Sequence, residues 1–222
     1  MLSPEDALYL LSLLGNPTQI IAHCLAVSAA AETLARALKP HLPRLDIALV
    51  RAGGLLHDMA RQCPKHAAKG QRILDNLGLA RLGEVVGAHM VLPAEQAEAP
   101  DLTEEQLVYL ADKLVVDDRL ATLEERVERT LRKWDGDSPS CSDSPSGGGS
   151  LAGGSSLAGD GSPSYSGPPS GDDSLAGGNS LSQDESAPQS NPSPSPEAVD
   201  AMQRRMRTAR LIIAKVEAVL GR

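Results

Sequence analysis

Residues 135 to 196 contain no lysine or arginine and almost no large apolar side chain, being built mostly of Ser, Gly, Pro, Ala and Asp. Such a stretch cannot bury enough apolar surface to offset the entropy of ordering it, so it is expected to be a disordered linker. Its recurring Ser-Leu-Ala-Gly-Gly at 150–154 and 174–178, with a variant ending in Asp at 156–160, is too short and too poor in periodic apolar positions for a solenoid repeat. Whatever folds must therefore be assembled from residues 1–134 and 197–222. Together these make about 160 residues, enough for one sizeable core.

Period-3.6 patterning dominates up to residue 134, which predicts an all-α domain, a compact multi-helix bundle. Ser3-Pro4-Glu5-Asp6 supplies an N-cap, a first-turn proline and two acids for a helix over 4–14. Residues 18–38 predict the longest helix, with Ile20, Cys24, Val27, Ala31, Leu34 and Leu38 on one stripe that ends before Pro40. A helix over 44–58 contains Gly53-Gly54, a pair that weakens helix propensity and implies a close helix crossing. Shorter helices are expected over 64–77 and 79–90. Thr103 with Gln106, and Thr122 with Glu125, form capping boxes that open helices over 104–118 and 123–134. No alternating run supports a strand. Beyond the linker, Glu197 to Gly221 is amphipathic, with Met202, Met206, Ala209, Ile213, Val216 and Leu220 on one face. Such a helix is poorly stable alone and is expected to dock back on the first domain, the alternative being a tethered arm for a partner.

The net charge of -8 is unevenly spread. Residues 1–134 carry 15 basic and 18 acidic side chains, the linker 0 and 8, and residues 197–222 carry 6 and 3. A near-neutral folded part, in a chain with no Phe, one Trp and three Tyr, argues against tracking a phosphate backbone or stacking on single-stranded bases. Nucleic acid polymers are therefore not expected as partners. Three cysteines, Cys24, Cys63 and Cys141, have no paired spacing and suit a reducing compartment. The N-terminus lacks a basic leader and no uninterrupted apolar run approaches 18 residues, so a cytoplasmic protein with no membrane partner is expected.

Four of the five histidines fall in segments that read as helical: His23, His57 beside Asp58, His66 and His89, with Asp112 following. A single helical histidine is more often a core or surface residue, and His41, in a loop between Pro40 and Leu42, is read that way. The joint occurrence is different, because polar groups beside apolar stripes are costly unless they converge on a partner. A pair of metal ions is the first reading. Imidazole and carboxylate ligands at an open site suit iron or manganese, with zinc, nickel or cobalt next and magnesium disfavoured. Adjacent helical residues point about 100° apart, so His57 and Asp58 can flank one ion only if neighbouring helices close the site as a cup. His66 sits in the first turn of a helix opened by Pro64, where the helix dipole disfavours imidazolium.

The contexts His23-Cys24-Leu25, Leu56-His57-Asp58-Met59-Ala60-Arg61, Pro64-Lys65-His66, Ala88-His89-Met90 and Ala111-Asp112-Lys113 together resemble the HD superfamily of metal-dependent phosphohydrolases, in particular compact bacterial HDIG-type domains. The resemblance covers residues 18–134. It implies that His23, His57, Asp58 and Asp112 hold a first metal, that His66 and His89 belong to a second, and that Asp58 bridges both. It further implies two divalent ions that activate a water and polarise a phosphoryl oxygen of a small phosphorylated substrate, a nucleotide first, for hydrolysis of an ester or anhydride bond. Asp58, Arg61 and Lys113 are the expected catalytic residues, and Arg61, Lys65, Lys113 and Arg119 the candidates to hold substrate phosphate, with Arg61 first because related proteins often carry a basic residue at that position. The Gly-Tyr-Pro signature of the cyclic-di-GMP branch is missing, and Met90 departs from the His-Thr pattern of dinucleoside-polyphosphate hydrolases. The alternative is a non-catalytic signalling or scaffold module that recruits a partner through its last helix. The run from Glu124 to Lys133 reads as a solvated helix face.

Overall fold

Among the residues described by the computed structural model, 2–134 and 194–221 with the side chain of Lys133 excepted, the helices that Ser3, Thr103 and Thr122 announce begin at those caps. Ser3 accepts a hydrogen bond from the Asp6 amide and opens α1 (Pro4–Leu13). Next come α2 (Thr18–Leu38) and α3 (Ile47–Leu56), the latter capped by the Asp46 carboxylate on the Leu49 amide. Then follow α4 (His66–Asn76), α5 (Ala80–Ala88), α6 (Ala94–Glu98) and α7 (Glu104–Lys113). A two-residue hairpin, β1 (Val115–Val116) with β2 (Arg119–Leu120), leads to α8 (Leu123–Trp134). The last helix is α9 (Pro196–Leu220), capped by Ser195. The expectation of a disordered linker over 135–196 falls, except for its last three residues, outside the described part of the chain.

Three expectations need correction. The third helix stops at Leu56, so His57 and Asp58 lie in the turn beyond it. The helix expected over 104–118 ends at Lys113, and the chain then reverses through antiparallel pairs Val115↔Leu120 and Val116↔Arg119, a short ladder where no strand was expected. The reversal needs a left-handed residue, and Asp117 takes that conformation at φ 56°, which a short polar side chain tolerates better than most. The five-residue α6 was likewise not foreseen.

Packing centres on α2, α3 and α7. A side chain at Gly54 would put its Cβ 2.8 Å from the Ser28 Cα, so only glycine lets α3 lie this close on α2. Ser28 completes the crossing by donating its hydroxyl to the Arg51 carbonyl at 2.8 Å. Every residue of α7 from Glu105 to Lys113 is buried, the pattern of a helix surrounded on all sides. By length and composition α2 could also cross a membrane, but Cys24, Val27, Ser28, Ala31, Ala35 and Leu38 seat one of its faces in this core.

The face of α9 formed by Met206, Ala209, Ile212 and Val216 is buried. Tyr109 of α7 donates its hydroxyl to the Arg205 carbonyl at 3.1 Å, and Lys215 donates to the Ala97 and Ala99 carbonyls, both at 2.5 Å. Ile212 is fully buried, whereas Ile213, expected on the apolar face, is only partly buried.

Candidate metal centre

Five helices deliver six side chains to one place. His23 comes from the second turn of α2, His57 and Asp58 from the turn after α3, His66 from the first residue of α4, His89 from the end of α5 and Asp112 from the end of α7. The close crossing at Gly54 brings His23 and His57 together, with ring centroids 5.2 Å apart. The turn from Asp58 to His66 is held against the α1–α2 connection: Asn16 donates to the Met59 carbonyl at 2.9 Å and Gln62 to the Gly15 carbonyl at 2.8 Å.

Three of the imidazoles are oriented the same way. The Nδ1 atoms of His23, His57 and His89 lie 2.7, 2.8 and 2.6 Å from the carbonyls of Asp117, Gly54 and Val86. A carbonyl only accepts, so each Nδ1 carries the proton and each Nε2 presents a lone pair to the interior. There the lone pairs meet further acceptors. His23 Nε2 is 3.4 Å from Asp112 Oδ1, and His57 Nε2 is 3.6 Å from Asp58 Oδ2 and 3.8 Å from Asp112 Oδ1. His66 and His89 Nε2 lie 3.2 and 3.4 Å from Asp58 Oδ1 and 3.2 Å from each other. His57 Nε2 is buried with no hydrogen-bond partner. For His23, His57 and His89 this sets acceptor against acceptor in a buried space, which is costly unless a cation lies between them, so the donor set fits divalent metal. Two groups of ligand atoms are close enough to share an ion, His23–His57–Asp58 and Asp58–His66–His89, and the two oxygens of Asp58 face one group each.

Burial pulls the His57 pKa down to about 4 even though Asp58 and Asp112 oppose it, which keeps the ring neutral. His23 moves the other way: burial would lower it, but the Asp112 carboxylate 3.4 Å away favours a protonated ring and raises it. Burial would raise both carboxyls, yet both stay below the usual carboxylate range. Asp58 is held there by His66, His89, His57 and Arg61, and Asp112 by Lys113, His23 and Arg126. The Cys24 thiol, next to His23, is pushed up to about 12 by burial and by Asp58.

The expected phosphate-binding cations part company here. Arg61 stays beside the centre, its Nη1 3.2 Å from Asp58 Oδ2 with about half of its side chain exposed. Lys113 does not reach outward: it is buried, with Nζ on Asp112 Oδ2 at 2.5 Å and on the His89 carbonyl at 3.1 Å, so its donors are already engaged. Lys65 is exposed immediately before α4, and Arg119 is exposed on β2 near Glu125. A cavity of about 270 Å³ between α1, α2 and α3 touches none of the six ligand-type residues.

Two contributors were not legible in sequence. Arg126, read as part of a solvated face, donates Nη1 to the Asp112 and Val115 carbonyls at 2.5 and 2.6 Å, with Nη2 3.5 Å from Asp112 Oδ1. The Asp117 carbonyl orients His23 from the hairpin tip. The one available signal was the Thr122–Glu125 capping box, which fixes where α8 starts and hence that Arg126 lies one turn in.

A helical cup holding paired imidazoles around two carboxylates defines a class of α-helical domain built on a His/Asp ligand cluster. Sequence comparison gives that class its family: the HD domain profile matches residues 20–117, a span that includes all six residues. An uncharacterised protein of Methanocaldococcus jannaschii is 31% identical over 147 residues, 59% of this chain and 87% of the relative. The chain belongs to the HD domain family, whose members bind divalent metals and are commonly hydrolases. No solved structure matches it.

Proposed function

We propose that the chain is a metal-dependent phosphohydrolase acting on a phosphoester or phosphoanhydride bond of a small phosphorylated compound, a nucleotide first. The observation that carries this is the convergence of four Nε2 atoms and two carboxylates, with Asp58 shared between the two ligand groups. In this reading His23, His57, Asp58 and Asp112 hold one divalent ion, and Asp58, His66 and His89 hold the other. The imidazole-rich donor set favours iron or manganese, with zinc, nickel or cobalt as substitutes. When bound, the pair supplies a water acidic enough to attack phosphorus near neutral pH and a Lewis acid for a phosphoryl oxygen.

The chain's own residues supply the rest. Three backbone carbonyls fix the tautomers and ring directions of His23, His57 and His89, so the ligand lone pairs are preorganised. Asp58 remains ionised, so each of its oxygens can serve one of the two ligand groups. Arg61, half-exposed beside Asp58, can pair with a phosphate oxygen through its outer N–H groups, which orients a small ligand against the cup. Lys65 and Arg119 are exposed cations for more distant phosphates. The near-neutral folded part suits a small anionic ligand better than a polymer.

The test is phosphate release from nucleotides and simple phosphate esters by protein reconstituted with Mn(II) or Fe(II). Turnover of at least one compound is expected, with the Arg61→Ala variant raising KM at least tenfold, the size of a lost charge-assisted hydrogen bond. Full metal loading with no phosphate released from any compound would instead favour a binding or scaffold role.

A further inference from the structure

Lys113 stands apart from the mechanism just described. It is 2% exposed, although lysine is almost never fully buried without a partner. Its ammonium has three N–H donors, and three partners surround it: Asp112 Oδ2 at 2.5 Å, the His89 carbonyl at 3.1 Å, and the face of the Tyr109 ring, whose centroid lies 4.6 Å from Nζ. Nothing remains to meet a substrate. Tyr109 is itself fixed by its hydroxyl bond to the Arg205 carbonyl of α9.

The two polar partners of Lys113 belong to opposite halves of the cup. Asp112 faces His23 and His57, whereas His89 faces His66 and Asp58 Oδ1. With Oδ2 of Asp112 tied back, Oδ1 is the oxygen turned to the imidazoles. Holding the His89 carbonyl fixes the backbone from which that imidazole projects. Resting on the two-ion reading of the cup, we infer that Lys113 is a positioning residue that locks the two halves of the centre to each other, braced from behind by Tyr109 and α9. Arg126 cannot substitute for it, because its contacts are confined to the Asp112 side and the hairpin.

The experiment is anaerobic Co(II) titration of the full chain, followed by the ligand-field absorption band, with thermal melts of the metal-free protein alongside. Wild type takes up two ions. Lys113→Met weakens both binding steps about 10- to 100-fold, the usual cost of losing a group that orients metal ligands. His66→Ala weakens only one step. Wild-type affinity in Lys113→Met, or a loss confined to one step, would overturn the inference even if that variant melts earlier, because a purely structural lysine would change stability without changing both steps. Should Lys113→Met not melt cooperatively, Asp112→Asn/Lys113→Met is compared with Asp112→Asn. The double variant leaves no unpaired buried carboxylate, and a further tenfold loss at the His89 side is expected, with equal binding counting against the lock. If wild type itself takes up no Co(II), it is the metal reading that fails.

Discussion

At the scale of single residues, the centre is a problem in proton placement. Backbone carbonyls take the Nδ1 protons of His23, His57 and His89, leaving three Nε2 lone pairs that point toward carboxylate oxygens and one another. His57 feels this most, with Nε2 buried and unpartnered and its pKa drawn down to about 4 by burial. An unfolded histidine titrates near 6.5, so as pH falls through that value the unfolded chain takes up a proton that the native ring refuses. The sign is therefore destabilising. In the metal-free protein His57 costs up to about 3 kcal/mol between pH 6.5 and 4. The His57→Gln variant should show a shallower fall of melting temperature over that window than wild type, and parallel pH profiles would contradict the assignment. Asp58 makes a second test, since its two oxygens face the two ligand groups. Metal analysis of Asp58→Ala should find both ions gone, whereas His66→Ala should retain one; equal losses in the two variants would remove the bridge from the account.

At the scale of elements, one glycine decides how closely the ligand-bearing helices approach. Gly54→Ala would set a methyl group 2.8 Å from the Ser28 backbone, which cannot yield without moving α3 off α2 and His57 away from His23. A loss of about 1–3 kcal/mol in urea melts, together with weaker metal binding, is expected. Gly87→Ala meets chiefly the movable carboxamide end of Gln71, with the Gln71 Cβ at an ordinary 3.4 Å, and should change stability by less than about 1 kcal/mol. Matching costs in the two variants would mean that the α2–α3 crossing is not the constraint. Caps, prolines and apolar stripes were enough to place most helices, because Ser3, Thr103 and Thr122 act locally. What escaped was tertiary in origin. Val115 and Val116 continue an apolar pattern that a helix could use, and only the turn at Asp117, with Arg126 holding the Asp112 and Val115 carbonyls, stops α7 at Lys113. The six ligand-type residues were legible as types in order. The burial of Lys113 was not, since a lysine beside an aspartate reads equally well as a surface pair.

At the scale of the whole molecule, α9 follows a long Ser/Gly/Pro-rich stretch in sequence, yet it packs on α7 and caps the α6 carbonyls through Lys215. Loop-closure entropy changes by only about 0.6 kcal/mol for each doubling of loop length. Excising residues 150–178 should therefore shift stability by less than about 1 kcal/mol and leave metal content unchanged, and a large drop in melting temperature would give that stretch a structural role. The proposed chemistry depends on the cup holding two ions. Elemental mass spectrometry of the 222-residue chain, purified anaerobically without added metal, measures this directly. Close to two iron or manganese per chain is the predicted result. Metal well below one per chain, not restored by reconstitution with either ion, would contradict it.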